Sequence, residues 1–531
     1  MIAALRGKML RINNLKQPLA ATEQNVHQAA ADKLHCKPED LHNFRISKKS
    51  VDARNKQNVH FVFSVDCNTN AVLPKDKDIE NLPAEEKLVF KIKNDGTRPI
   101  VVGSGPAGMF AGLALAEAGL RPIILERGAD VDARQKKVDA FWKTGVLDTE
   151  TNVQFGEGGA GTFSDGKLMS GIKKDKFTAR VMHELYEAGA PAEILYLAKP
   201  HIGTDNLRIV VRNMRRKIEA LGGEYRFNSR LEGLIVKDSK LQAIKVCHNN
   251  EMYELSATRV FLAIGHSARD TFEMLYAAGV YMTQKPFSVG ARIEHKQAQI
   301  NQAQYGAAAQ SPYLGAADYK LAVHLPNGRS VYTFCMCPGG TVVAAASEQG
   351  RVVTNGMSEF ARDRENANAA LLVGVGTNDF ASPHPLAGMY FQRKLEERAF
   401  ALGGKNYQAP AQLVGDFLQA KPSKHGGDIQ PSYQPSVTWC HFDALYPAEI
   451  ADAMRGGIME MAKKLRGYDK HDAVLTGVET RSSSPVRIVR DDTMQSNIKG
   501  LYPCGEGAGY AGGITSSAAD ALKVVYALNE K

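Results

Sequence analysis

The chain has 531 residues, of which 44% are hydrophobic and 23% charged, and a formal net charge of +9, a balance that is ordinary for a globular protein of several domains. It contains no uncharged apolar run of about 18 residues and no secretory signal pattern, and its seven cysteines show no disulfide-framework spacing. We therefore expect a cytoplasmic protein without membrane spans, and the mild positive charge gives little support for binding of nucleic acid.

The first 95 residues precede any cofactor motif and are expected to form a separate module. Alternating apolar residues predict short strands, and one stretch with acidic and amide residues in its first turn predicts a helix. The strands are expected at 9–12, 44–46, 60–66 and 87–93, and the helix at 22–34. This order fits a small α+β module of ferredoxin-like type over residues 1–95.

A Gly-x-Gly-x-x-Gly motif follows, formed by Gly103, Gly105 and Gly108. The preceding Ile100–Val102 has the β-branching of a buried parallel strand, and an Ala/Leu-rich helix comes after the motif. A second apolar strand then ends at Glu126. This strand, turn, helix, strand and acid together are typical of a dinucleotide-binding fold.

The residue types in the motif follow from the ligand. Gly103 permits a tight turn, Gly105 has no Cβ and lets a pyrophosphate approach the backbone, and Gly108 lets the helix pack closely on the strand. The helix begins at Pro106 and Ala107, where free N–H groups favour phosphate charge. All five residues are predicted to contact the cofactor.

Glu126 and Arg127 stand at the end of the second predicted strand. A carboxylate at this position is expected to accept hydrogen bonds from the adenosine ribose hydroxyls, and it repels a 2′-phosphate. NADP is therefore disfavoured at this site, and both residues are assigned to the cofactor.

A second glycine-rich stretch, 155–167, lies beyond a charged helix predicted over 134–147. So many glycines beside hydroxyls and an ammonium suggest backbone lying against a ligand, with polar groups available to a pyrophosphate or ribityl chain. A flexible surface loop is the alternative. The predicted cofactor contacts in this stretch are Gly161, Thr162, Ser164 and Lys167.

Helices are predicted over 173–188 and 206–220, and then three alternating segments predict an antiparallel meander. The segments are 224–236, 242–246 and 252–255. The strand predicted at 259–266 ends in Ala-x-Gly, as expected where the chain returns to the main sheet of a two-dinucleotide-fold flavoprotein. Leu231, Ala263 and Gly265 are added to the predicted cofactor contacts.

Residues 276–475 are expected to form an inserted mixed α/β domain that binds substrate. Arg292 and His295 are three residues apart on a predicted strand, hence on opposite faces, and one of them could anchor an anionic substrate, with surface ion pairing as the alternative. Cys335-Met-Cys337 leaves three interpretations open: buried packing, thiols lining the flavin or substrate pocket, and a metal half-site or disulfide. Arg292 and both cysteines are weak catalytic candidates, and no metal site is predicted.

The last segment, 476–531, is expected to complete the cofactor domain with a short strand, a polar glycine turn and a helix beginning near Thr515. An acid in the turn is placed to bond ribityl hydroxyls, and the first N–H groups of the helix would face the pyrimidine edge of a flavin, where the helix dipole stabilises the anionic reduced form. The predicted contacts are Gly505, Glu506, Gly512, Gly513, Ile514 and Thr515.

Gly158–Leu168, Thr333–Gly340 and Gly505–Gly513 resemble a bacterial family of uncharacterised FAD-dependent dehydrogenases or oxidoreductases of the glutathione-reductase-type superfamily. The resemblance spans nearly the whole chain. It implies an α/β fold of two-dinucleotide-fold type, in which a parallel sheet with an antiparallel meander is split into 96–275 and 476–531 around the insertion. It also implies non-covalently bound FAD and a redox role, and it names no substrate.

Two departures from better-known relatives are informative. Disulfide reductases of the superfamily carry a CxxxxC pair near the first glycine loops, and 155–167 contains no cysteine. Gly374-Val-Gly376 lacks the third glycine of a second dinucleotide motif, so NAD(P)H is expected only as a transient reductant.

The predicted activity is hydride transfer between an unidentified organic small molecule and flavin N5, with electrons passing to an unidentified acceptor. Two alternatives stay open. One is an RNA-modifying flavoprotein that recruits nucleic acid through the basic N-terminal module. The other is a non-catalytic FAD-binding scaffold or sensor. The sequence predicts no oligomeric state.

Overall fold

The computed structural model of the chain describes residues 9–83, 86–168 and 175–530. Its N-terminal unit is one antiparallel four-stranded sheet with a helix packed on it. The helix starts at a Thr22 cap and buries Val26, Ala30 and Leu34 against the sheet, and the order across the sheet is β2-β3-β1-β4. The elements are β1 (Met9–Gln17), α1 (Glu23–Leu34), β2 (His42–Asp52), β3 (His60–Asn68) and β4 (Ile79–Asn81).

The predicted ferredoxin-like arrangement of this unit is only partly present: the α+β composition and the antiparallel order β2-β3-β1-β4 are found, but residues 9–83 lack its second helix. That arrangement needs two helices, and residues 9–83 contain one α-helix. The stretch 87–93 is extended but belongs to no strand in the described ranges. It alternates because Leu88 and Phe90 pack into the core of the next domain, while the backbone of Lys91 bonds with Asn529 and Glu530 at the end of the chain.

The dinucleotide domain begins with the predicted strand, helix and strand around the first glycine motif. Its elements are β5 (Ile100–Val102), α2 (Pro106–Glu117), β6 (Ile123–Leu125), α3 (Val131–Thr144), α4 (Lys176–Glu187), α5 (Thr204–Ala220), β7 (Glu224–Arg226), β8 (Ser229–Lys237), β9 (Lys240–His248), β10 (Glu251–Ser256), β11 (Val260–Leu262) and α6 (Arg269–Ala277).

The second domain follows, and the chain then returns to the first. The remaining elements are β12 (Met282–Gln284), β13 (Phe287–Lys296), α7 (Gln297–Tyr305), β14 (Ala322–His324), β15 (Ser330–Cys337), β16 (Thr341–Ala344), β17 (Thr354–Met357), β18 (Asn366–Val375), α8 (Ala387–Leu402), β19 (Ala409–Leu413), α9 (Val414–Leu418), β20 (Val437–Trp439), α10 (Ala448–Ala462), β21 (Val474–Glu479), β22 (Val486–Ile488), β23 (Leu501–Pro503) and α11 (Ile514–Tyr526).

A five-stranded parallel sheet in the order β23-β11-β5-β6-β7 forms the centre of the dinucleotide domain. Alternate strand residues face opposite layers, as the pleat requires. Val101 and Phe261 pack with α2, α5 and α11, and Val102 and Leu262 pack with the meander β8-β9-β10 and α6.

The predicted first strand of the meander proves to be two strands. Glu224–Arg226 is β7, the edge of the parallel sheet beside β6, and the meander starts only at Ser229. Asn228, with a φ of 50°, separates the two. Sequence alternation does not distinguish these strands because only a short turn lies between them.

The second domain is built on a mixed seven-stranded sheet in the order β14-β15-β18-β13-β21-β19-β20. Its strand pairs are antiparallel except for β19 with β20. The central β18 is almost wholly buried, and α8 and α10 cover the sheet. β21 runs across the predicted boundary at 475.

A buried ion-pair network joins the two domains. Arg269 of α6 donates to Glu396 of α8, and Arg481 after β21 donates to the same carboxylate. Although burial opposes ionisation, the two guanidinium groups lower the pKa of Glu396. The helices of the described ranges include none that is long and apolar enough to cross a bilayer.

Candidate functional site

The first glycine motif contains two glycines that the fold itself requires. Gly103 has a φ of 99°, and a Cβ there would lie 2.4 Å from the carbonyl oxygen of Ala263, the residue after β11. A Cβ on Gly108 would lie 1.8 Å from the carbonyl oxygen of Gly103. These two positions exclude any side chain, as expected for a strand and helix in close contact.

Gly105 is different. Its backbone has the ordinary φ of −75°, and the atom nearest to an added Cβ would be the Cα of Gly159, 3.8 Å away. The fold therefore tolerates a side chain at this position. Gly105 is also partly exposed, with Pro106, although the strand before it is buried. The missing side chain therefore leaves the backbone at the start of α2 partly exposed, and we call the region between this helix start and that of α11 the cleft.

Two helices begin at this cleft without a side-chain cap. Gly105 is the N-cap of α2 and Gly513 is the N-cap of α11, and neither receives a side-chain hydrogen bond. The loop residue Gly161 joins the two starts, because a Cβ there would lie 3.2 Å from Ile514 and 3.9 Å from Pro106. Uncapped helix N-termini carry free N–H donors and positive partial charge.

The second glycine-rich stretch is a shaped loop rather than the flexible alternative. The buried Arg134 of α3 donates to backbone carbonyls of five loop residues, with donor–acceptor distances of 2.7 to 3.2 Å. The acceptors are Asn152, Val153, Gly156, Glu157 and Gly159. One side chain therefore sets the path of the loop across α2.

Sequence reasoning missed Arg134, although a signal was available. Arg134 lies on the same face of α3 as Val131, Val138 and Phe141, the buried residues of that helix. A charged residue on an apolar helix stripe indicates a buried partner.

Glu126 lies at the end of β6, as predicted, and is buried. Its carboxylate accepts three backbone N–H bonds, from Ser104 at 2.9 Å, Gly128 at 3.0 Å and Gly156 at 2.9 Å. It thereby ties both glycine-rich loops together. Since a carboxylate offers about four acceptor positions, one remains for a ribose hydroxyl.

The hydroxyls of the second loop are used within the loop. Ser164 donates to the carbonyl of Gly161 at 2.6 Å and accepts from the N–H of Gly166. Thr162 is buried, and its hydroxyl donates to the carbonyl of Glu157 at 3.4 Å. These contacts differ from the predicted role as ligands of a pyrophosphate or ribityl chain, because short hydroxyl side chains readily bond to their own turn.

The C-terminal turn packs against the return strand. A Cβ on Gly505 would lie 2.6 Å from the Cβ of Ala107, and Gly507 lies against the backbone of Gly265. The carboxylate of Glu506 is 3.3 Å from Nδ1 of His266. The following Gly512 and Gly513 are exposed, so the start of α11 opens onto the cleft.

Two predicted cofactor contacts have other partners. Leu231 is a core residue of β8, packed between the meander and the parallel sheet. Arg127 donates to the carboxylates of Glu150 and Asp270 and lies 4.1 Å over the ring of Phe155. Both lie in the layer that carries the meander.

Thr515 and Lys167 connect the cleft to the second domain. The Thr515 hydroxyl, at the first turn of α11, donates to the carbonyl of Leu168 at 3.0 Å. The neighbouring Lys167 places its Nζ 3.1 Å from a carboxylate oxygen of Asp165 but has no hydrogen-bond partner in the described residues. Asp165 is itself held by Arg362. The Lys167 ammonium is therefore available to a ligand.

Arg292 is buried inside the second domain rather than ion-paired at the surface. Its N–H groups are all used, by the carboxylate of Glu479, the side-chain oxygens of Asn355 and Asn368, and the carbonyl of Cys335. No donor remains for a substrate, contrary to the predicted anchoring role. Burial raises the pKa of Glu479 to about 7, although Arg292 opposes the shift.

His295 is also buried, on the opposite face of β13 as the alternation predicts. Its Nε2 lies 2.9 Å from the carbonyl oxygen of Tyr468, and its ring stacks on the Tyr468 ring at 5.2 Å. Burial lowers the pKa of His295 to about 4, so the neutral ring packs the core.

Cys335 and Cys337 lie at the end of β15, next to this arginine. Both are free thiols; Cys337 is fully buried and Cys335 partly exposed. The Cys337 thiol donates to the carbonyl oxygen of Cys335 at 3.2 Å. The electrostatic influence of Lys167 reaches both sulfurs.

Comparison with known proteins agrees with this geometry. A family model described as "FAD-dependent protein, C-terminal domain-like" matches residues 286–482, one described as "FAD binding domain" matches 98–148, and one for a domain of unknown function matches 9–68. An uncharacterized protein of Clostridium beijerinckii is 48% identical over 531 residues, covering 98% of this chain and 99% of the relative.

Solved structures give weaker likenesses. A flavin-dependent brominase is 12% identical with a TM-score of 0.36, covering 80% of this chain and 77% of its own. A quinol fumarate reductase of E. coli is 11% identical with a TM-score of 0.35, covering 83% and 69%. These scores support no argument about this chain. The relative that matches over the full length and the two FAD-related family models support a firm assignment. The chain belongs to a family of FAD-dependent flavoproteins.

Proposed function

We propose that the protein is an oxidoreductase that binds FAD non-covalently in the cleft between the starts of α2 and α11 and transfers a hydride between an organic small molecule and flavin N5. The observation that carries the proposal is the meeting of two uncapped, glycine-started helices at one open cleft. One helix start suits a pyrophosphate and the other suits the electron-rich edge of a reduced flavin.

The residues present fit this cofactor. Gly105 leaves room for close approach of a phosphate, although the fold does not require a glycine there. Glu126 keeps an acceptor for a ribose hydroxyl. The N–H of Gly512 donates to the Ser516 hydroxyl, and the exposed Gly513 would offer its backbone N–H to the cofactor. When bound, FAD supplies the two-electron acceptor or donor.

The remaining residues would bind and orient. Arg134 and Glu126 hold the two glycine-rich loops in the shape that the cofactor needs. Among the described residues, Lys167 has no hydrogen-bond partner for its ammonium, and it lies on the side of the proposed site that faces the second domain. It is the group we assign to an anionic part of the bound molecules, because its ammonium is paired with Asp165 but a buried donor whose hydrogen bonds are unmade is costly.

The test is the visible spectrum of the purified protein, followed by chromatography of the cofactor that heat releases. We expect the bands of an oxidised flavin and released FAD in equal amount with the chain. Anaerobic additions of NADH, NADPH and a panel of organic substrates should then bleach the flavin in at least one case. A colourless protein that does not take up FAD would refute the proposal. Bound FAD that none of these donors reduces would favour the scaffold or sensor.

A further inference from the structure

Cys335 and Cys337 occupy an irregular position in β15. The pairing of β15 with β18 shifts register between Phe334 and Cys337, and Cys335 has a φ of 42°. In a regular strand, side chains two residues apart share a face but stand too far apart to bond. At this bulge the Cys337 thiol instead folds back onto the Cys335 carbonyl, 3.2 Å away. Bulges and left-handed non-glycine residues are features that proteins retain at functional sites.

Two cations surround the pair. Arg292 donates to the Cys335 carbonyl at 2.8 Å, and Lys167, in the glycine-rich loop of the other domain, interacts electrostatically with both cysteines. The bond donated by the Cys337 thiol lowers the pKa of Cys335, with Lys167 and Arg292 adding to the effect against burial. The donor Cys337 has its pKa raised. A thiolate beside a thiol is the reactive form of a dithiol.

The pair also lies beside the cofactor cleft. Leu168, the neighbour of Lys167, accepts a hydrogen bond from Thr515 in the first turn of α11. The residue next to Leu168 is Lys167, which acts electrostatically on both sulfurs, so the same loop is linked to the start of α11 and to the thiols. Of the two sulfur residues, Cys335 is partly exposed and Cys337 is fully buried. The glycine-rich loop 155–167 itself contains no cysteine.

We propose that Cys335 and Cys337 form a redox-active pair that exchanges two electrons with FAD by closing and opening a disulfide between them. The inference rests on the FAD site proposed above. In the closing direction, the S–H bond of Cys337 breaks and an S–S bond forms between the Cys337 and Cys335 sulfurs. The thiolate and thiol together release two electrons and one proton, and oxidised FAD takes up all three to become the anionic reduced flavin. Opening the disulfide is the reverse reaction.

The first test is an anaerobic reductive titration of the air-oxidised holoprotein with dithionite, followed by flavin absorbance. If the pair is active, the wild-type protein consumes twice the electrons that its FAD alone requires. Cys337→Ser should halve this uptake, to the amount needed by FAD alone. Cys247→Ser in β9, a free thiol in the meander, is the matched control and should keep the wild-type uptake.

Peptide mapping gives a second readout that does not depend on the flavin. Trypsin releases residues 330–351, whose cysteines are only Cys335 and Cys337. After treatment of the protein with diamide this peptide should be lighter by two hydrogens and resist alkylation. If Cys337→Ser does not fold, the electron uptake of the wild-type protein and its peptide map are sufficient to test the redox pair.

The outcomes separate the two proposals. If the protein contains FAD but takes up only the two electrons that FAD itself requires, the redox pair is refuted and the proposed FAD site is not. A peptide that keeps two alkylatable thiols after diamide also overturns it. A wild-type protein without FAD refutes the proposed function and, with it, the exchange of electrons between the thiols and FAD. A disulfide found in the peptide of such a protein would show only that Cys335 and Cys337 can form a disulfide.

Discussion

The two domains carry their candidate functional groups in different ways. In the dinucleotide domain the candidate ligand-binding groups are backbone N–H groups, because α2 and α11 begin at Gly105 and Gly513 without side-chain caps. In the domain of the seven-stranded sheet the candidate groups are charged and sulfur side chains. There Arg292 donates hydrogen bonds to Glu479 and to the Cys335 carbonyl. The first surface suits a cofactor that is recognised by its phosphates and its heterocycle edge. The second holds titratable and oxidisable groups.

This difference decides how visible each side is in the sequence. A glycine turn and the helix it starts are adjacent along the chain, so their residue types form a local pattern. Arg292 and Glu479 are 187 positions apart, and only the pairing of β13 with β21 brings them together. Sites made of backbone can be predicted from short motifs, whereas sites made of buried side chains need the sheet order.

Substitution of Arg134 should have the largest effect on stability and FAD binding, because this one side chain fixes the path of the second glycine-rich loop. Arg134→Met removes all five bonds to loop carbonyls and leaves buried acceptors without donors. At about 1 kcal/mol or more for each, the free energy of unfolding should fall by roughly 5 kcal/mol and FAD retention should be lost. Denaturant unfolding and flavin content measure both.

Arg216→Met is the matched control, since Arg216 is exposed on α5. It should change neither quantity. An Arg134→Met protein with wild-type flavin content would show that the loop does not need its side chain for shape.

Arg292 tests the side-chain half of the comparison. Arg292→Met leaves the buried Glu479 without its counter-ion, and removing one partner of a buried pair costs about 3–5 kcal/mol. FAD content should stay unchanged, because Arg292 belongs to the other domain. In Arg292→Met combined with Glu479→Gln the carboxylate is gone, so much of the stability should return. A double variant no more stable than the single one would contradict this account.

Ionisation of Glu479 should have a smaller, pH-dependent effect on the free energy of unfolding. Its pKa is raised to about 7 by burial, so the folded carboxyl keeps its proton to a higher pH than the unfolded one. Its stabilising contribution is full at acid pH and is lost as the pH rises towards 7. Relative to Glu479→Gln, the wild-type free energy of unfolding should fall by about 3 kcal/mol between pH 4.5 and pH 8. A constant difference across that range would show that Glu479 ionises normally.

Much of the fold could be predicted from the sequence, and the exceptions have physical causes. Strand, helix and strand around Gly103 were predicted because β-branching, glycine spacing and an alanine-rich helix agree locally. The segment 87–93 was misassigned because packing on α11 buries alternate residues just as a sheet does. Arg134 was missed because its partners are backbone carbonyls, which leave no residue type to read.

The candidate site divides along the same line. The predicted glycines of the first motif and the start of α11 meet at one cleft. Thr162 and Ser164 were assigned to a ligand, but their hydroxyls donate to carbonyls of their own loop. Arg292 was assigned to a substrate, and its donors are all used within the protein. A polar residue type indicates that a partner exists without indicating which one.

The most direct test of the central claim is the FAD content of Gly105→Val beside Gly315→Val. Neither glycine has a left-handed φ, and an added Cβ meets no close atom at either position, so both variants should fold with wild-type circular dichroism. If FAD lies at the start of α2, Gly105→Val is folded and colourless while Gly315→Val keeps stoichiometric FAD. A folded Gly105→Val protein with a full complement of FAD would contradict the account.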